Sequence, residues 1–164
     1  MAFSIYIADL AEYNAGRLTG EWVDLDNHDD VESLQEVIDT ILAKNNNEEW
    51  AIHDYDYSDC PDLKLGENES LETLIELNQL INEHGEAFAE FHLWDNSIDV
   101  DRFYDSYCGQ FESLEDYATG LFDELHIHDV PKQIQNYINY DAFARDLRCE
   151  GYFITDNGHV FQPV

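Results

Sequence analysis

The chain has 164 residues, of which 44% are hydrophobic and 13% aromatic, a content typical of folded proteins and not of disordered acidic tails. Its 37 Asp and Glu residues far outnumber its 7 Lys and Arg residues, and the formal net charge is -30 at pH 7. A charge of this size repels nucleic acids and anionic membranes, which excludes both as direct partners and indicates a strongly basic partner instead.

The cysteines and the N-terminal segment bear on the cellular compartment. Cys60, Cys108 and Cys149 are an odd number of widely spaced cysteines with no Cys-x-x-Cys pair, which favours free thiols in a reducing compartment. The N-terminal segment lacks a basic region and reaches Asp9 too early for a secretion signal. No apolar run approaches the roughly 20 residues of a membrane span. We therefore expect a cytoplasmic protein.

The first third of the chain, residues 1–61, predicts a small α+β domain. Short strands are expected over residues 4–8 and 20–25, joined by a polar loop. Apolar residues then recur at helical spacing over residues 31–42. A third strand, in which apolar and aromatic residues alternate with polar ones, is expected over residues 49–57.

The middle third, residues 62–103, predicts a mainly helical domain. Ser70 is placed to cap a helix, and Gly85 is placed to end it. Shorter helical patterns follow over residues 87–94 and 99–107.

The last third, residues 104–164, predicts a second α+β domain that opens with a helix. Ser113 resembles the start of a capping box, with Asp116 in place of the usual Glu or Gln. The apolar face of this helix is expected to be buried. That face consists of Leu114, Tyr117, Leu121, Phe122 and Leu125.

The remainder of this third predicts two further helices and a hairpin. Pro131 suits the first turn of a short helix, and Asn139 is placed to cap a helix over residues 140–147. Asp156-Asn157-Gly158 lies between two apolar runs, and Asn-Gly in such a position is a strong signal for a β-hairpin.

The acidic residues are spread over all three segments. Residues 1–61, 62–103 and 104–164 carry net charges of -13, -9 and -8. Like charges recur at i, i+4 on predicted helices, as in Glu32 and Glu36, and each such pair costs about 0.2–0.5 kcal/mol. A run of acids is ordinarily a solvated face, and adaptation to high salt is another explanation. The excess in every segment favours a surface that binds a basic partner.

Motifs for catalysis or metal binding are incomplete. Residues 24–30 superficially resemble a calcium loop, but Asp29 and Gln35 stand where an EF-hand needs Gly and Glu, and residues 54–58 fail the same test. The His pair within residues 126–129 lacks a second ligand cluster for zinc. No phosphate loop, nucleophile elbow or His-Glu-x-x-His motif is present. We expect no enzyme, no metal and no cofactor.

The stretch from Tyr140 to Leu147 is one of three ordered motifs that are similar to a known family. It resembles the signature Tyr-Asp/Glu-x-Phe/Tyr-x-Arg-Asp-Leu of the ArdA antirestriction proteins, which are carried on mobile elements. The segment from Ile5 to Trp22 is similar to the opening of the family, and Ala51-Ile-His-Asp-Tyr-Asp56 is similar to its Ala-Ile-His-Asp-Tyr-Glu stretch. The signature residues are Tyr140, Asp141, Ala142, Phe143, Ala144, Arg145, Asp146 and Leu147. Residues 62–103 match by position alone.

The resemblance implies an elongated α+β tandem of three small domains, the outer two mixed sheet and helix and the middle one mainly helical. It implies a homodimer that imitates bent B-form DNA. The implied partner is a type I restriction-modification enzyme, bound at the basic DNA groove of its methyltransferase core. The signature is also similar to the family's dimer-contact region, so that Arg145 and Asp146 would serve packing or dimerisation; a plain amphipathic helix is the alternative.

These observations lead to the hypothesis of a stoichiometric inhibitor whose carboxylates stand in for DNA phosphates. Two alternatives stay open: a divalent-cation-binding or metal-dependent protein built on carboxylate clusters, and an acidic inhibitor of another DNA-binding protein. The acids on predicted exposed faces, here called the nominated acids, are the candidates for phosphate mimicry. They are Asp24, Asp26, Asp29, Asp30, Glu32, Glu36, Asp39, Glu48, Glu49, Glu67, Glu69, Glu72, Glu76, Glu83, Glu86, Glu112, Glu115, Asp116, Asp123 and Glu124.

Overall fold

The computed structural model describes residues 3–164; Met1 and Ala2, the start of the N-terminal segment considered above, lie outside the described residues. Within the described residues the chain forms seven α-helices and two three-stranded antiparallel sheets, which confirms the predicted α+β class. The chain divides into two compact units, Met1–Ile98 and Asp99–Val164. The finer division into three domains in tandem stays a prediction.

The first unit contains a sheet in which the first strand is central. Its strands are β1 (Phe3–Asp9), β2 (Gly20–Asp24) and β3 (Trp50–Tyr57), in the order β2-β1-β3. Phe3, Ile5 and Ile7 alternate along β1 and are completely buried. Since successive side chains of a strand point to opposite faces, these three residues define the core face of the sheet.

A β-bulge separates the apolar part of β3 from its acidic part. In the pairing with β1, Ile52 lies opposite Ile7 and Asp54 lies opposite Tyr6, so His53 is an extra residue without a partner position. A strict period of two would place Ile52 and Asp54 on the same face. Because of the bulge, Ile52 is buried in the core whereas Asp54 is exposed on the other face.

The helices of the first unit follow the predicted patterns, with one addition. They are α1 (Leu10–Asn14), α2 (Val31–Ala43), α3 (Leu71–His84) and α4 (Glu86–Asp95). Helix α2 packs against β1 and α3 and buries Leu34, Ile38 and Ile41 at helical spacing. A short 3-10 turn, Leu25–Asn27, occupies the end of the segment that was predicted to be the second strand.

Helix α3 begins and ends at the predicted residues. The Ser70 hydroxyl accepts a hydrogen bond from the backbone N–H of Thr73 at 3.1 Å, which satisfies one free donor of the first turn. Gly85 ends the helix with φ of +71°, a conformation that residues with a Cβ adopt with difficulty. The next helix, α4, buries Phe88 and Phe91 completely.

Asp9 explains why α1 forms where a polar loop was predicted. Its completely buried carboxylate accepts hydrogen bonds from the backbone N–H of Glu12 (3.1 Å) and from the side-chain amides of Asn45 (3.3 Å) and Asn47 (2.9 and 3.0 Å). Burial by itself raises the pKa of Asp9, but these donors outweigh it and hold the pKa below its ordinary value. One carboxylate thus caps α1 and ties it to the turn after α2.

The second unit contains the other sheet and three helices. These elements are α5 (Val100–Ser106), β4 (Tyr107–Gln110), α6 (Leu114–Leu125), α7 (Tyr140–Cys149), β5 (Phe153–Ile154) and β6 (His159–Phe161), with the strands in the order β4-β6-β5. The predicted Asn-Gly hairpin is confirmed between β5 and β6. Gly158 has φ of +87°, and a Cβ there would lie 2.2 Å from the carbonyl oxygen of Phe111.

The helix expected over residues 99–107 forms at Val100–Ser106, and strand β4, which was not predicted, follows it because it pairs with β6 about fifty residues later. Two predictions for this unit are wrong. Pro131 does not begin a helix; it precedes a turn, and a 3-10 helix follows at Gln135–Tyr137. Leu125, expected to be buried, is 56% exposed.

Two further observations concern the cysteines and the membrane. All three cysteines are free thiols: Cys60 is buried, Cys108 is half-buried and Cys149 is exposed. Burial raises the pKa of the Cys60 thiol to about 11, which leaves it protonated at neutral pH.

None of the described helices combines the length and hydrophobicity that a membrane crossing requires.

Replacing Asp9 by Asn should lower the free energy of unfolding by about 1–3 kcal/mol at pH 7, because the new amide directs a donor at groups that are themselves donors. The lowered pKa of Asp9 makes the carboxylate's contribution complete above the ordinary carboxyl pKa, and this contribution is lost as the pH falls through the folded-state pKa. The difference in free energy of unfolding between the wild-type protein and Asp9→Asn should therefore become smaller at acidic pH. Urea unfolding at neutral and acidic pH measures it, and an equal loss at both pH values would contradict this account.

Candidate partner-binding surface

The nominated acids lie on the surface. All of them are exposed except Asp24, Glu69 and Glu86, which are half-buried. For the acids on α-helices the exposure follows from the helical periodicity, because each helix turns its apolar stripe to the core and its acids to solvent. The other nominated acids lie on β2 or in turns and loops at the surface, such as Asp29, Glu48 and Glu67. Their carboxylates are therefore accessible to a partner in both units.

The negative charge is denser on the first unit than on the second. Residues 1–98 contain 24 acidic and 3 basic residues, a net charge of -21. Residues 99–164 contain 13 acidic and 4 basic residues, a net charge of -9. Each unit by itself is thus strongly acidic, although the first carries about two thirds of the total.

Two of the three basic side chains in the first unit pair with acids outside the nominated set. The Arg17 guanidinium donates to both carboxylate oxygens of Glu12, and Lys44 pairs with Glu21. The hydrogen bond from Arg17 is the main reason that the pKa of Glu12 lies below its ordinary value. Arg17 and Lys44 therefore do not neutralise any of the nominated acids of this unit.

The exposed face of α2 is the clearest row of like charges. Glu32, Glu36 and Asp39 follow one another at i, i+4 and i+7, so they lie on one side of the helix. The side-chain amide of Gln35 donates to Asp39 at 2.7 Å. Within residues 3–164 none of these three acids forms an ion pair, so their repulsion is not relieved by a neighbouring cation.

Several nominated acids also stabilise backbone turns. Asp24 accepts a hydrogen bond from the backbone N–H of Asp26 at 3.0 Å, and Asp30 accepts one from the N–H of Ser33 at 2.8 Å, which caps α2. Asp26 in turn accepts a hydrogen bond from the Asn82 amide at 2.7 Å. Since Asn caps helices about as well as Asp, substitution by Asn removes charge at Asp24 and Asp30 while it preserves the cap.

In the second unit, a signature residue holds a nominated acid. The Tyr140 hydroxyl donates to the Asp123 carboxylate at 2.7 Å, and this hydrogen bond is the main reason that the pKa of Tyr140 is raised. The Tyr140 and Phe143 rings both pack edge-on against Phe122, with ring centroids 5.6 and 5.3 Å apart. The signature therefore fixes the position of one carboxylate on α6.

The rest of the signature forms an amphipathic helix. Ala144 and Leu147 are buried against Ala118, as the alternative interpretation of the motif predicted. Arg145 and Asp146 are exposed, and within residues 3–164 neither side chain forms a hydrogen bond or an ion pair. Their use as contacts to a second copy stays a prediction.

The helical-spacing argument missed the acids of β3. Asp54 and Asp56 are both exposed, and they lie on the face of the sheet opposite the core. Their alternation in the sequence was a usable signal. The sequence pattern places Ile52 on the same face as Asp54 and Asp56, because it does not reveal the bulge between them. Ile52 is in fact buried in the core.

The described residues offer no ready site for a metal ion. Among residues 3–164, no group of three or more His, Cys, Asp and Glu side chains is arranged to hold one. The acids lie side by side on surfaces and do not converge on a point. Such an arrangement suits contact with a broad basic surface better than coordination of a single cation.

Comparison with models of known protein families yields a match over most of the chain. The family model described as Antirestriction protein (ArdA) matches residues 5–161. The match therefore includes all three resembling motifs and both compact units. The sequence matches no curated protein.

Neutralising two acids of the α2 row by Glu36→Gln and Asp39→Asn should raise the free energy of unfolding by about 0.2–0.5 kcal/mol at low salt, because repulsion between like charges on one helix face is removed. Glu32 is kept because it lies in the first turn of α2, where the helix dipole favours a negative charge. The gain should diminish at high salt, where the repulsion is screened. Urea unfolding at two salt concentrations measures both effects. A loss of stability at low salt would instead mean that these carboxylates make favourable contacts.

Proposed function

The chain belongs to the ArdA family of antirestriction proteins, and we propose that it inhibits by imitating DNA. In this proposal its carboxylates occupy the basic DNA groove of a type I restriction-modification enzyme, at the methyltransferase core. The observation that carries the proposal is a net charge of -30 whose acids are exposed on both units. The protein is then a stoichiometric inhibitor that needs no cofactor and catalyses no reaction.

The size of the charge suits such a target. B-form DNA carries one phosphate charge per about 1.7 Å of axis, so thirty charges correspond to about 15 base pairs. A basic groove gains free energy from DNA largely because condensed counterions are released. A folded protein with a comparable surface charge offers the same groove a similar electrostatic gain without base pairs or cleavable bonds.

The uncompensated rows of acids support a functional origin of the charge. The acids of the α2 row repel one another and form no ion pair with any residue of the described range 3–164, which lowers the stability of the fold. Solubility alone requires a net charge of only about 2–8 for a small domain. A partner that neutralises these acids removes the repulsion on binding, so the strain of the free protein favours the complex.

We further propose that the protein acts as a homodimer in the cytoplasm, where restriction enzymes encounter DNA. The signature helix α7 exposes Arg145 beside Asp146, and two copies related by a two-fold axis can pair these opposite charges reciprocally. A dimer doubles the length of acidic surface. The elongated three-domain form implied by the family resemblance belongs to the same proposal.

Titration of the protein into a type I methyltransferase core bound to labelled cognate DNA should displace the DNA at near-stoichiometric concentration. Salt weakens the binding of DNA as well as that of the protein, so the salt dependence is taken from the enzyme's affinity for the protein measured directly without DNA. This affinity should fall steeply between about 50 and 200 mM salt. Fluorescence anisotropy follows both quantities. No displacement at low salt would remove this target, and a flat salt response would contradict electrostatic mimicry.

Affinity should be distributed over many acids. Single changes such as Glu72→Gln should weaken inhibition less than about threefold, which is the effect of losing one surface charge contact. Combined replacement of the nominated acids of either unit should weaken it far more and lower the salt dependence by about one unit of slope per lost contact. Loss of inhibition by one Glu→Gln change would show that a single site carries the binding.

A further inference from the structure

One face of the first sheet is open to solvent in part: its Trp22, Asp54 and Asp56 are exposed, and its other three residues are half-buried. The pairing register places Asp24, Ser4 and Asp56 side by side in one row across the three strands, and Trp22, Tyr6 and Asp54 in the next row. A shallow cavity of about 410 Å³ lies over this face. We call this surface the open sheet face. It consists of Ser4, Tyr6, Trp22, Asp24, Asp54 and Asp56.

Two aromatic rings form the floor of the open sheet face. The Tyr6 and Trp22 rings meet edge-on with centroids 5.6 Å apart. Gly20 leaves room for this arrangement, because a Cβ there would lie 2.8 Å from the Tyr6 ring. Trp22 is 50% exposed, and within residues 3–164 its indole N–H forms no hydrogen bond. The ring is thus supported by the fold and open to solvent.

Three carboxylates surround the aromatic floor. Asp24 and Asp56 flank β1 on its two sides, so their Cα atoms are about 10 Å apart, which is two strand spacings. Asp54 lies two residues from Asp56 on the same side of β3, about 7 Å along the strand. Arg17 and Lys44 pair elsewhere, with Glu12 and Glu21, and do not neutralise this face.

This combination of groups selects for one kind of ligand. A row of carboxylates by itself attracts any cation. Imitation of DNA phosphates by itself does not require an exposed indole ring. The guanidinium of arginine satisfies both, because it stacks on aromatic faces and forms forked hydrogen bonds with carboxylates. The lysine ammonium is compact and strongly hydrated, and it stacks less well. Asp24 and Asp54 each accept one hydrogen bond from a backbone N–H, of Asp26 and Tyr55, but an apolar partner would still bury the charged carboxylates of this face without a cation to offset them, which is costly.

We propose that the open sheet face docks an arginine side chain of a basic protein partner, with the guanidinium on Trp22 and in contact with Asp54 or Asp56. The partner's identity as a DNA-binding enzyme rests on the proposed function, whereas the preference for arginine does not. The open sheet face then acts as a local anchor within a distributed acidic surface. Its contribution depends on an uncharged side chain, so it can be separated from net charge.

The preference for arginine is tested on the full chain with two peptide probes, tetra-arginine amide and tetra-lysine amide. In ¹⁵N-labelled protein each of Trp22, Trp50 and Trp94 gives one indole N–H resonance, and Trp22→Leu identifies the first. We expect tetra-arginine to shift the Trp22 resonance and to bind about threefold or more tightly than tetra-lysine. Equal responses to both peptides, or no response of Trp22, would overturn the proposal.

The contribution to inhibition is tested with variants that keep the net charge. Trp22→Leu should weaken displacement of DNA from the methyltransferase core about 3- to 30-fold, the range expected for loss of one cation–π contact. Tyr13→Leu is the matched control, because Tyr13 is 49% exposed in the same unit and also meets one ring edge-on, that of His53. It should leave displacement unchanged. Urea unfolding establishes that both variants are folded.

A second pair of variants serves if Trp22→Leu does not fold. Asp56→Asn and Asp39→Asn remove the same charge from two exposed positions of the first unit, and only the former lies on the open sheet face. Asp56→Asn should weaken displacement more. If the wild-type protein displaces DNA and the members of each pair behave alike, the docking proposal is wrong. If the wild-type protein displaces no DNA, the proposed function fails while the peptide titration still decides the preference for arginine.

Discussion

Repulsion among 37 acidic residues, with 7 basic ones to offset it, is the constraint that every other feature of the chain must accommodate. The apolar cores supply the free energy that offsets this repulsion. Phe3, Ile5 and Ile7 on the sheet and Leu34 and Ile38 on α2 are completely buried, so apolar burial holds the first unit together while the charges stay outside. The acids therefore do not weaken the packing directly; they lower the stability of an otherwise ordinary α+β fold through their mutual repulsion.

Part of that repulsion is offset at helix ends. Asp9, Asp30 and Asp99 each accept a hydrogen bond from a backbone N–H in the first turn of a helix, where the aligned peptide dipoles favour negative charge. A chain that must carry many acids places some of them where the backbone itself supplies the compensating partial charge. Asp30 then serves both the fold and the acidic surface, which is why its structural and electrostatic contributions have to be separated by substitution with Asn.

Features with local causes followed from the sequence, and features with distant causes did not. The stripe of α2, the Ser70 cap and the Asn157-Gly158 hairpin depend on neighbours a few residues away, and all three were predicted. Strand β4 depends on pairing with β6 about fifty residues later, and α1 depends on a buried carboxylate whose amide donors follow α2. The acidic surface was predicted in outline because exposure follows helical periodicity, whereas the open sheet face required the strand register.

The bulge at His53 has a consequence for how reliably the first sheet assembles. If β3 paired with β1 without the bulge, Asp54 would lie opposite Ile5 and Asp56 opposite Phe3, so both carboxylates would enter the core. Burying two unpaired charges costs far more than one unpaired position in a ladder. The acids that make this strand attractive to a basic partner therefore also discriminate against its misaligned form, and a sequence with neutral residues at these positions would tolerate both alignments more evenly.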